Sequence, residues 1–120
     1  FCAFGDPVLT GALAEREMAQ SRAVARPGAP TTAAELERLV EAVRARGFAA
    51  VANEGEGGLA AVSAPVLDVD GGRLRLALSV FGRVGRLNTA PDGPVAALMT
   101  EAARALAAEL RSLAPAGVAR

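Results

Sequence analysis

The segment from Gly58 to Gly82 constrains the fold more than any other part of the chain. Two apolar runs, Leu59–Leu67 and Arg73–Phe81, flank the string Asp68-Val69-Asp70-Gly71-Gly72. Apolar runs separated by an acidic and glycine-rich turn specify an antiparallel hairpin. On the second run Leu74, Leu76, Leu78 and Val80 share one face, and Arg75, Ala77, Ser79 and Phe81 share the other. Several positions on one wall hold small residues where a packed sheet carries large ones. Undersized side chains beside a sheet leave room for a small ligand. Pro65 donates no ladder hydrogen bond and marks a bulge or an unpaired edge position. The turn lacks the ligand spacing and closing glutamate of an EF-hand, so it reads as a turn and not as a calcium loop.

The flanking segments switch to helical spacing. Asp6-Pro7 suits a helix start, followed by a weak apolar pattern over Val8 to Gln20. Arg22 to Pro30, with Pro27, Gly28 and Pro30, reads as a linker. Thr32 followed by Glu35 makes a capping-box pattern. Leu36, Leu39, Val40 and Val43 then fall on one helical face, while Glu35, Glu37, Arg38, Glu41 and Arg44 face water. Gly47 stands where the C-terminal cap belongs. Phe48 to Asn53 reads as a short strand, Glu54 to Gly58 as a turn and Arg83 to Gly93 as a loop. From Pro94 to Leu113 a stripe of Val95, Leu98, Met99, Ala102, Leu106, Leu110 and Leu113 predicts a long amphipathic helix. The order is helix, helix, three strands, helix. Residues 1–114 form one α+β unit and 115–120 a frayed tail.

Composition excludes several classes of chemistry. The 120 residues contain no histidine and one cysteine, Cys2. Histidine-dependent nucleophilic triads are absent, and a transition-metal site would need carboxylates alone. An internal disulfide is impossible, which fits a cytoplasmic location. Cys2 sits in an apolar patch and reads as a small core residue. Thirteen basic residues, all arginine, balance thirteen acidic ones. Nucleic-acid affinity rests on a basic excess, so this segment is not expected to bind DNA directly. No apolar run reaches the roughly 18 residues of a membrane span. No cofactor and no enzymatic activity are expected.

Local strings of this sequence resemble the effector-binding domain of IclR-type transcriptional regulators. They are Pro30-Thr31-Thr32, Arg44-Ala45-Arg46-Gly47-Phe48, Glu54 through Gly58, Ala64-Pro65-Val66-Leu67-Asp68, and Leu76-Ala77-Leu78-Ser79-Val80-Phe81-Gly82, in that order. The resemblance runs from about Phe1 to Leu113. It implies a GAF or PAS-like fold, an antiparallel sheet flanked by helices, corresponding to the C-terminal two-thirds of that domain. It also implies a small organic effector, a homodimer or tetramer, and DNA binding through a separate N-terminal winged helix-turn-helix.

Carried over position by position, the family's ligand pocket falls on Val51, Gly58, Leu59, Ala61, Ser79 and Phe81. Val51, Ala61 and Phe81 are apolar where members of the family can carry polar groups. Burying a carboxylate without paired donors is costly, so this lining favours an apolar or aromatic effector. Ser79 admits two readings, a donor to the effector or a hydroxyl bonded to a neighbouring strand carbonyl. Glu54 and Glu56 read as a carboxylate pair or as solubilising turn residues. The Gly57 and Gly58 amides read as an anion nest or as turn formers. Arg83 and Arg86 read as pocket gates or as solvated loop charge. A ligand-free dimerisation module, or a stand-alone GAF-like domain, is the alternative to effector binding.

Overall fold

The computed structural model describes residues 1–24, 29–52, 58–68 and 72–113. The turn residues Glu54, Glu56 and Gly57, the hairpin tip Val69–Gly71 and the tail beyond Leu113 lie outside them. The elements are α1 (Pro7–Val24), α2 (Ala33–Arg46), β1 (Ala49–Ala52), β2 (Leu59–Leu67), β3 (Leu74–Arg83) and α3 (Pro94–Leu113). The fold is α+β. Its sheet is antiparallel with strand order β1-β2-β3.

Side-chain chemistry explains the element ends. The Asp6 carboxylate accepts the Val8 amide hydrogen at 3.0 Å and caps the first turn of α1. Helix α1 continues through Val24, so its last turn takes up Arg22, Ala23 and Val24 from the expected linker. Thr32 caps α2 by accepting from the Glu35 amide at 3.2 Å. The Glu35 carboxylate accepts in return from the amide of Thr31 at 3.2 Å, one residue before the usual partner. Gly47 ends the helix at φ 87°, donating to the Val43 carbonyl at 2.7 Å. An L side chain is strained in that left-handed conformation, hence the glycine.

The core lies between the sheet and α3. Val62, Ala64 and Val66 of β2 face Ala96, Met99 and Ala103 of α3, with Phe48 closing one end. Leu78 and Val80 of β3 join from the same side, because Ala64 pairs with Leu78 and Val62 with Val80. The expected helix stripe is corrected here. Ala96 and Ala103 make the buried contact, whereas Leu98 and Leu113 point to solvent. The central strand presents a small Ala64 between two valines, so α3 comes close only through its own small side chains. Long leucines are displaced to the flanks.

Two further expectations are corrected. No residue of α2 is buried, and its apolar face is at most half-covered, with Leu39 exposed. Neither α1 nor α2 packs on the sheet as α3 does. Cys2 is half-buried, not part of the core, and lines an apolar cleft of about 390 Å³ between α1 and the start of α2. Pro65 pairs with Ala77 in the stretch of β2 that extends past β1, and the register slips at Val66/Leu67. Its missing donor is tolerated where one edge of the strand has no neighbour.

Candidate functional site

Strand register assembles the candidate residues. Val51 pairs with Ala61, and Ala61 with Phe81. These three form one row across the sheet. The next row is Ala49, Ser63 and Ser79, and beyond it Pro65 faces Ala77. On the other side of the Ala61 row, Leu59 faces Arg83. All these side chains leave the sheet on the face opposite α3, because period 2 sends Ala60, Val62 and Ala64 the other way.

This face is a shallow trough. Ala61 is only 7% exposed, whereas Val51 and Phe81 on either side are 59% and 66% exposed. The two large residues are the rims and the alanine methyl is the floor. Leu59, 55% exposed, closes one end. Among the described residues no helix packs on this face as α3 packs on the other, so the undersized residues line an open wall rather than an enclosed hollow.

The polar groups lie at the other end. The Ser63 and Ser79 hydroxyls are 2.6 Å apart across the strand pair. Ser79 thus bonds to a side chain of the next strand and not to a carbonyl. Within such a pair one hydroxyl donates to the other, and the acceptor's own hydrogen stays available to a third group. Ser63 was legible in principle, since it lies two residues after Ala61 on the same strand face. Its pairing with Ser79 needed the register.

Gly58 contributes through its backbone. It has φ 50°, and its carbonyl accepts the Val84 amide at 2.6 Å, tying the start of β2 to the chain after β3. Arg83 is the last residue of β3, not a loop residue, and its exposed guanidinium stands on the trough side beside Leu59. Arg86 is exposed in the following turn. Among the described residues no group of three or more His, Cys, Asp or Glu side chains is placed to hold a metal ion. No helix among them is long and apolar enough to cross a membrane.

Comparison with known proteins agrees with this architecture. Residues 8–108 match the family described as bacterial transcriptional regulator IclR C-terminal. Among solved structures the chain is similar to the crystal structure of Pseudomonas aeruginosa HmgR, at 31% identity and a TM-score of 0.63. The similarity covers 91% of this chain and 40% of the HmgR chain, so the 120 residues span well under half of that protein. No curated protein matches the sequence. The extent of the family match shows that this chain belongs to the IclR C-terminal domain family of bacterial transcriptional regulators.

Proposed function

We propose that this chain is the part of a transcriptional regulator that binds a small effector and oligomerises, and that the trough is one wall of the effector site. The observation that carries the reading is the row Val51, Ala61 and Phe81, with its buried methyl floor between two exposed apolar rims. A flat apolar or aromatic body matches that profile. The hydrogen left over in the Ser63–Ser79 pair gives one directional contact to it. The second wall comes from elsewhere in the regulator or from a second copy.

Signalling by such a domain is a population shift. An effector that binds one arrangement of domains more tightly moves the equilibrium toward it, by no more than its difference in affinity. In this reading residues 1–114 carry the effector function. DNA is contacted by a separate winged helix-turn-helix in the cytoplasm. The reading assigns the domain a binding role rather than a catalytic one.

The test is a thermal-shift screen of monocyclic aromatic compounds on the wild-type chain and on Ala61→Trp. A ligand present at 100 times its Kd stabilises by about 2.7 kcal/mol, a readily measured shift. The indole of Ala61→Trp fills the trough and removes the shift. Equal stabilisation of both proteins rejects the trough as the site. Exposure of Val51, Leu59 and Phe81 on one face also favours a second reading, a ligand-free dimer face. That reading predicts a sedimenting dimer whose association Phe81→Glu abolishes, with no ligand response in the screen.

A further inference from the structure

A second cleft lies on the other side of β2. Strand β1 pairs only with Ala60 to Ser63, so among the described residues no strand borders the last four residues of β2 on that edge. Helix α3 crosses beneath the gap, and the N-terminal segment and the α2–β1 junction border it. The space between them is a cleft of about 610 Å³. That volume is within the usual range of small-molecule sites.

The lining has two distinct parts. Phe4, Ala64, Leu67, Ala103 and Ala107 make an apolar floor of mostly small side chains. Arg46 and Arg104 stand at its border. The Nε of Arg46 donates to the Phe48 carbonyl at 2.9 Å, and its guanidinium carbon lies 5.3 Å from the Phe48 ring centroid. The head is thereby held in place while its terminal amino groups remain available. Arg104 is exposed on α3. Thr100, also in the lining, donates to the Ala96 carbonyl at 2.9 Å. Asp68 is the one acidic group among the described lining residues and is engaged in its own interaction. Among the described residues, two guanidinium groups against one carboxylate give the lining an excess positive charge.

We propose that this cleft binds a medium-chain alkyl carboxylate. A guanidinium presents paired donors that fit a carboxylate in bidentate fashion, and two of them favour a single negative head. A floor of alanine methyls accepts a narrow chain of methylenes where large side chains would block it. The cleft opens at the unpaired end of β2, where Pro65 also borders it, whereas Ala61 lies in the stretch paired with β1 and projects from the face opposite Ala64.

The experiment is calorimetric titration of the complete 120-residue chain with octanoate and with 1-octanol, at low and at high salt. Octanoate is expected to bind at least about tenfold more tightly than the alcohol, because the alcohol forgoes the charge-assisted hydrogen bonds. Its affinity falls as salt rises. Arg104→Gln, an exposed substitution on α3, lowers octanoate affinity about tenfold. Ala107→Phe, which occupies the floor, blocks binding, and circular dichroism checks that both variants fold. Ala61→Trp leaves octanoate affinity unchanged, so loss of effector binding at the trough and loss of the cleft are separable. Equal affinity for acid and alcohol, no octanoate binding at millimolar concentration, or an unchanged Kd in Arg104→Gln overturns the proposal. So does loss of octanoate binding in Ala61→Trp.

Discussion

Val62→Ala compares the two faces of the sheet directly. Val62 is fully buried between β1, β3 and α3, and no larger side chain in the described core is buried as completely apart from its equal, Val66. The substitution removes two methyl groups. At about 0.8 kcal/mol per buried carbon, the transfer term alone is about 1.6 kcal/mol. A packed helix and two flanking strands collapse only partly onto the void, which raises the loss to about 2–3 kcal/mol. The matched control is Val51→Ala, one strand away on the open face. Val51 is 59% exposed, so about four-tenths of the same transfer term is lost and no cavity forms, giving under about 0.7 kcal/mol. Urea unfolding followed by circular dichroism, with slopes compared to confirm two-state behaviour, measures both. The reasoning fails if Val51→Ala costs as much as Val62→Ala. A contact as extensive as α3 would then cover the trough in solution.

Other outcomes follow from local geometry. Gly47→Ala loses about 1 kcal/mol from the left-handed φ alone, since an added Cβ meets nothing within 4 Å; a loss above about 2 kcal/mol in the same urea assay argues for an unseen clash. Gly82→Ala places a Cβ 3.0 Å from the Leu87 Cβ, so a loss of about 1–3 kcal/mol is expected, reduced in the double variant with Leu87→Gly, which removes that Cβ. Additive losses at those two positions reject the clash. A double-mutant cycle of Ser63→Ala and Ser79→Ala reads their hydroxyl contact, with a coupling of about 0.5–1 kcal/mol expected; zero coupling removes the pair from the site.

The hairpin, α3 and the capped α2 were legible because their signals are local. Alternation over Leu74 to Val80, the Thr32–Glu35 pair and Gly47 each act within a few residues. Helix α1 was harder. Its apolar spacing is weak, and Arg22 to Val24 extended it because nothing before Pro27 breaks a helix. The candidate site was half-legible. Parity alone puts Ala61 with Ser63, and Ser79 with Phe81, on shared faces. Only the pairing of Ala61 with Val51 and Phe81 turns those residues into a rimmed trough.

By itself the sequence determined the order of elements, the two faces of each strand, the lack of histidine chemistry and the family. Each depends on residue identity and short-range spacing. The tertiary structure decided which face of the sheet α3 would cover, and that Ala96 and Ala103 rather than Leu98 would meet it. Those outcomes depend on how closely two surfaces approach, a property of the packed pair that neither segment encodes alone. It also decided that Val51, Leu59 and Phe81 stay open to solvent, because among the described residues the helix packed on the sheet, α3, covers its other side.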